Sequence, residues 1–252
     1  MRKRTVVANW KMNKNQHDIE IFAAHLFPLL DRVKNVEIVI CPSFIGLPVL
    51  SKLCTGSAVK IGAQNLFWET KGAYTGEVSP EMLVDVGCEY VIIGHSERRQ
   101  IMGETDTIIN RKMHAALAAG LIPILCVGET LQERENNLAL QVVKGQLDHD
   151  LKDLVLLDIL PIIAYEPVWA IGTGINATSD DAQNMCCFIR EMLEKRFGRS
   201  TAQQVKILYG GSVNGKNIKE FLDEKDINGA LVGGASLMPE SFFEILEVAQ
   251  NE

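Results

Sequence analysis

The chain has 252 residues, of which 47% are hydrophobic and 23% charged, and it carries a formal net charge of −7. A chain of that size and composition supports one large apolar core. The acidic balance argues against a nucleic-acid partner, because a phosphate backbone needs a basic footprint, and no apolar run approaches the roughly 18 residues of a membrane span.

The six cysteines, Cys41, Cys54, Cys88, Cys126, Cys186 and Cys187, form no CxxC pair, and a chain this long needs no covalent staples. They are expected to be reduced thiols. The N-terminal "MRKRTVVANWKMNK" has basic residues but too short an apolar stretch for a secretion signal. The expected location is the cytoplasm.

Eight short β-branched runs follow one another along the chain. They are "TVVANW" from Thr5, "VEIVICP" from Val36, "VKIGAQN" from Val59, "YVIIGH" from Tyr90, "IPILCVG" from Ile122, "PIIAYEP" from Pro161, "VKILYGG" from Val205 and "GALVGGA" from Gly229. They are continuous rather than alternating, as strands covered on both faces should be. Between them lie helical patterns. After the first run, Ile19, Phe22, Ala23, Leu26 and Leu30 form one stripe, and after the sixth, Thr178 and Asp181 make a capping-box pattern before a long helix. Eight strand–helix units with no composition break predict a single domain, 1–252, with a parallel sheet.

Polar residues gather at the carboxyl ends of the runs. Asn9 and Lys11 follow the first, His95 ends the fourth, Glu166 ends the sixth, Gly210, Gly211 and Ser212 follow the seventh, and Gly233 and Gly234 interrupt the eighth. An open sheet would concentrate them at one switch point. Spread over five strands, they converge only if the sheet closes into a (β/α)8 barrel of eight parallel strands, each followed by a helix, and such barrels build their sites at that end.

Glu166 follows the apolar "PIIAY" and precedes Pro167 and an apolar loop. A strand-end glutamate usually turns to solvent. Here the apolar surroundings point to a site from which water can be expelled, where a carboxylate becomes a stronger base. His95 precedes "SERR", a helix start with Ser96 as its expected cap. A helix N-terminus disfavours imidazolium, so this histidine is expected to be neutral and a hydrogen-bond donor. The alternative for His95 is a structural role. The other histidines, His17, His25, His114 and His149, lie in helical segments with no metal-ligand spacing. Lys11 is either a surface lysine or a local cation that lets an acidic chain take an anion. The glycine pairs after the last two runs suit a phosphate held by backbone N–H groups. "GTGINA" from Gly172 fits a dinucleotide fingerprint formally, but it follows no strand directly.

Together these stretches resemble the triosephosphate isomerase family. The resemblance runs from "ANWKMN" through "GAYTGEVS", "IGHSERR", "GETD", "CVGETLQERE", "AYEPVWAIGTG" and "YGGSV" to "LVGGASL", in the family's order. It implies a TIM barrel that interconverts dihydroxyacetone phosphate and glyceraldehyde 3-phosphate, without cofactor or metal. It implies Glu166 as base and His95 as neutral electrophile. Lys11 would stabilise phosphate and enediolate charge, with Asn9 placing the carbonyl oxygen. Backbone N–H groups at Gly172, Ser212, Gly233 and Gly234 would hold phosphate. Ser96 would contact Glu166, Glu97 would pair with Lys11, and the loop from Pro167 would be a lid. It also implies a homodimer, formed by inserting the loop around Thr75 into a second copy. Two departures stand out. Ile175, Asn176 and Ala177 replace a lysine-containing second lid hinge, and Met102 replaces a phenylalanine, which suggests altered packing after the fourth strand. Two rivals remain: a phosphosugar aldolase using Lys11 as a Schiff-base amine, and a barrel that binds a phosphorylated ligand without turnover.

Overall fold

The computed structural model describes residues 3–156, 159–170 and 177–250. Eight strands form a closed, all-parallel barrel in chain order. They are β1 (Arg4–Asn9), β2 (Val36–Cys41), β3 (Val59–Ala63), β4 (Tyr90–Ile93), β5 (Ile122–Val127), β6 (Ile162–Tyr165), β7 (Ile207–Tyr209) and β8 (Gly229–Val232). Every predicted run therefore coincides with a strand. The structural boundaries are tighter: Glu166 lies just beyond β6, His95 two residues past β4, and Gly233 and Gly234 follow β8 rather than interrupt it.

The strands need apolar residues on both sides because the two faces meet different cores. Val7, Val39, Tyr90, Ile92, Ile124, Ala164, Leu208 and Leu231 fill the barrel interior. Val6, Ala8, Ile38, Ile40, Val91, Ile93, Ile163 and Ile207 face the helices. The alternation follows from the two-residue period of a strand. Closure depends on β1 lying against β8, with Thr5 opposite Gly229. A Cβ on Gly229 would sit 1.8 Å from the Thr5 carbonyl oxygen, so only glycine admits this approach.

The helix Gln16–Leu26 buries Ile19, Phe22, Ala23 and Leu26, and Leu30 in the following turn joins them, as the stripe predicts. Thr178 and Asp181 close a reciprocal capping box on the helix Ser179–Phe197. All six cysteines are free thiols. Among the described residues no helix is long and apolar enough to cross a membrane.

One local expectation is corrected, and another is located. Met102, after the helix that follows β4, is 63% exposed beside Ile101 at 72%, so its side chain lies outside the barrel core. The cap of the helix Ser96–Gln100 is His95, whose ring accepts the Glu97 N–H, and Ser96 is the first helical residue.

Candidate active site

The carboxyl ends of β1, β4, β6, β7 and β8 converge on one cavity of about 380 Å³. Its walls include Asn9, Lys11, His95, Glu166, Ser212, Gly233 and Gly234. Glu97 joins them by reaching the Lys11 ammonium at 2.7 Å. Gly172 lies outside the described residues, as do Ile171 to Asn176 of the expected lid. The other predicted site residues are brought together.

Glu166 is 2% exposed. Its Oε2 accepts the Ser96 backbone N–H at 3.0 Å, and its Oε1 lies 3.1 Å from His95 Nε2. The Ser96 contact is made by the backbone, not the hydroxyl. His95 Nδ1 accepts the Glu97 N–H at 3.2 Å. A ring nitrogen that accepts carries no proton, so the imidazole is neutral and Nε2 is its donor. Gly210 lies against the glutamate, and a Cβ there would come within 2.9 Å of Glu166 Cγ.

Lys11 adopts φ 51°, a left-handed backbone uncommon for a lysine. Three bonds hold it there. Its N–H donates to Asn9 Oδ1 at 3.0 Å, its carbonyl accepts Gln64 Nε2 at 2.9 Å, and its ammonium pairs with Glu97. The cation therefore stands at the mouth of the barrel, beside the glycine turn after β8, where a Cβ on Gly233 would lie 3.5 Å from Lys11 Cε. Trp10, fully buried, ties this end of β1 to the same turn by donating Nε1–H to the Ser236 carbonyl at 3.0 Å. Among the described lining residues, Lys11 supplies a local cation to an otherwise acidic chain.

The segment after Glu166 is anchored by residues the sequence reading passed over. Glu129, fully buried, accepts the Trp169 indole N–H at 2.8 Å and the Tyr165 hydroxyl at 3.1 Å. Its backbone carbonyl accepts the Val168 N–H at 3.1 Å. Arg134 stacks over the Trp169 ring at 4.3 Å. Burial raises the Glu129 carboxyl above its usual range, against the pull of these donors. The signal was present in "GETLQERE", but a carboxylate just before a helix reads equally well as an exposed N-terminal acid. Cys126, fully buried beneath Glu166, is held as a thiol first by burial and then by the neighbouring carboxylate. The Tyr209 hydroxyl is buried without a hydrogen-bond partner among the described residues.

The arrangement can take a proton at a carboxylate, donate a hydrogen bond from a neutral imidazole, and hold an anion between a lysine and glycine-rich turns. A family model described as triosephosphate isomerase matches residues 4–249. Similar proteins named triosephosphate isomerase occur in Endomicrobium trichonymphae, at 50% identity over 99% of this chain and 100% of the relative. Another from Dictyoglomus thermophilum is 49% identical over 98% of this chain and 100% of the relative. A third from Carboxydothermus hydrogenoformans is 51% identical over 98% and 99%.

Proposed function

Because the chain belongs to the triosephosphate isomerase family, we infer from the geometry how its residues divide the work of interconverting dihydroxyacetone phosphate and glyceraldehyde 3-phosphate. Glu166 takes a proton from C1 of the ketone. The freed electron pair forms the C1–C2 double bond, and the carbonyl π electrons move to the C2 oxygen. His95 donates its Nε2 proton to that oxygen and recovers one from the C1 hydroxyl. Glu166 returns its proton to C2, which leaves the aldehyde at C1. Lys11 stabilises the negative charge that develops, and charge that appears only in the transition state makes such a contact catalytic. Asn9 places the carbonyl oxygen.

The observation that carries this reading is the neutral His95 donor set 3.1 Å from the buried Glu166 carboxylate. Phosphate sits against the backbone N–H groups of Ser212, Gly233 and Gly234, residues that line the same cavity, with Gly172, outside the described residues, as a further donor. The Lys11 ammonium is engaged by Glu97 as an ion pair. That suits an anion-binding cation better than an aldolase's amine nucleophile. An isomerase assay on the purified chain, with borohydride trapping in parallel, tests it. Turnover without a trapped adduct is expected, and a trapped lysine adduct without isomerisation would overturn it.

The functional unit is a homodimer. Met12, Ile45, Tyr74, Met82, Ile101 and Met102 are between 44% and 96% exposed, on or just after the loops that follow β1 to β4. Apolar exposure on that scale favours a partner surface. In the loop after β3, Leu66 is buried, while Phe67 stacks on Trp68 and packs against Tyr74, which leaves the tip around Thr75 projecting. The tip reaches the second copy beside Asn9, Lys11 and His95, in an isologous interface. The six free thiols support a reducing, cytoplasmic setting, and the barrel's span of the described chain supports a single domain.

A further inference from the structure

Gly210 and Gly128 crowd Glu166 on two sides, but a second space also borders it. That space, of about 180 Å³ on the far side from the substrate cavity, is lined by Gly94, Arg99, Cys126, Gly128 and Gln146 among others. The carboxylate is held at its oxygens by the Ser96 N–H and His95 Nε2, and the backbone that carries it is tethered at the end of β5.

Three consecutive residues there are each engaged. The Val127 carbonyl accepts the Glu166 backbone N–H at 2.8 Å, so the base hangs on this peptide. The Cys126 carbonyl, one residue earlier, accepts Arg99 Nη2 at 3.0 Å. Gly128, one residue later, is gripped at both backbone groups by the Gln146 amide: its N–H donates at 2.8 Å and its carbonyl accepts at 3.1 Å. Gly128 also touches Glu166 directly, since a Cβ there would fall 1.8 Å from the Glu166 carbonyl oxygen. Any shift of Gly128 is passed on to the base.

Arg99 extends the grip to the other half of the pair. Its Nε donates to the Gly94 carbonyl at 2.8 Å, and Gly94 immediately precedes His95. The same guanidinium bridges Asp106 at 2.6 Å and the fully buried Asp150 at 2.5 Å. Gln146 and Asp150 stand one turn apart on the helix Ala139–Asp150, on the face turned to β5. One helix thus supports both contacts, and neither Arg99 nor Gln146 lines the substrate cavity.

We propose that Arg99 and Gln146 are positioning residues for the isomerisation, which hold the ends of β4 and β5 so that His95 and Glu166 keep their mutual distance. The inference rests on the roles assigned above to those two residues. A planar, forked cation can bond two carbonyls and two carboxylates at once, whereas a lysine cannot. Misplacing reacting groups by about 1 Å costs on the order of 10²-fold in rate, so a partial slackening should be readable in turnover.

The test is steady-state kinetics on Arg99→Lys and Gln146→Met, each alone and combined with Glu166→Asp, with thermal melts to establish folding. Each single variant should lose about tenfold or more in kcat, with KM for the triose phosphate within about twofold of native, because phosphate binding is untouched. Combined with Glu166→Asp, each should cost less than the product of the separate losses, as expected of groups acting through the same residue. Folded variants with native kcat, a rise in KM alone, or losses that multiply fully would each overturn the proposal. If Arg99→Lys does not fold, Gln146→Met decides by the same criteria. Glu166→Asp alone separates the two failures. Slow turnover there with native turnover in the other variants sinks only this inference, whereas native turnover there sinks the assignment of the base.

Discussion

His95 Nε2 stands 3.1 Å from Glu166 Oε1, while the opposite ring nitrogen accepts the Glu97 N–H at 3.2 Å. One imidazole is thus fixed by the helix it caps and presents a proton beside the base. The helix also supplies the Ser96 N–H to the other oxygen of Glu166. The acid and base groups are oriented by one backbone turn, and the variants below act on what surrounds it.

Lys11→Met should abolish most activity with little change in stability. The Lys11–Glu97 pair is partly exposed, at 28% and 45% for the two side chains, and exposed pairs contribute little to folding. Its loss opposite a bound phosphate leaves an unpaired charge, which costs on the order of 10² to 10³ in kcat/KM. Kinetics with a thermal melt checks this. Unaltered affinity and turnover would make Lys11 a surface lysine.

Gly210→Ala should slow the enzyme more than it destabilises it. The new methyl would meet Glu166 Cγ at 2.9 Å and the Tyr165 carbonyl at 3.2 Å. The side chain is the softer neighbour, so the carboxylate moves, and kcat falls by roughly tenfold or more. Native kcat in the folded variant would show that the base tolerates the displacement.

Thr75→Arg should give a folded monomer of much reduced activity. On the proposed assembly the tip of the β3 loop fills a pocket of the second copy that suits threonine, and burying an unpaired cation there costs several kcal/mol. Sedimentation beside kinetics reads both effects. A variant that stays dimeric and fully active, or a wild-type chain that sediments as a monomer at micromolar concentration, would contradict the assembly.

Asp150→Asn should remove one component of the pH dependence of stability. Burial pushes Asp150 up from 3.8 to about 7, against the pull of Arg99. Between those values the folded chain holds a proton that the unfolded chain has released. Stability from this group is therefore greatest at the acidic end and falls as pH rises to about 7, by at most about 1.4 kcal/mol per pH unit. Asparagine does not titrate, so urea melts should show the variant gaining on wild type across that window and levelling above it. A constant difference would place Asp150 in its ordinary range.

The barrel could be read from the sequence because its strands are buried on both faces. Runs such as "YVIIGH" are continuous, and only the residue ending the apolar run carries chemistry. His95 and Glu166 stood out for that reason. The supports did not. Glu129 looks like a solvated helix start, Gln146 like one more polar position within a helix, and Gln64 like the polar end of the third run. Their contacts depend on which element packs against which strand, and a local pattern does not encode that. The same limit explains Ser96: it has the composition of a cap, but the backbone turned one residue earlier and used the imidazole of His95 instead.

The most direct test of the account is the turnover of Glu166→Asp. Removing one methylene withdraws the carboxylate by about 1 Å while keeping its charge, which should cut kcat on the order of 10²-fold with KM and the melting temperature close to wild type. A folded Glu166→Asp enzyme that isomerises triose phosphate at the native rate would contradict the central claim that this carboxylate moves the proton.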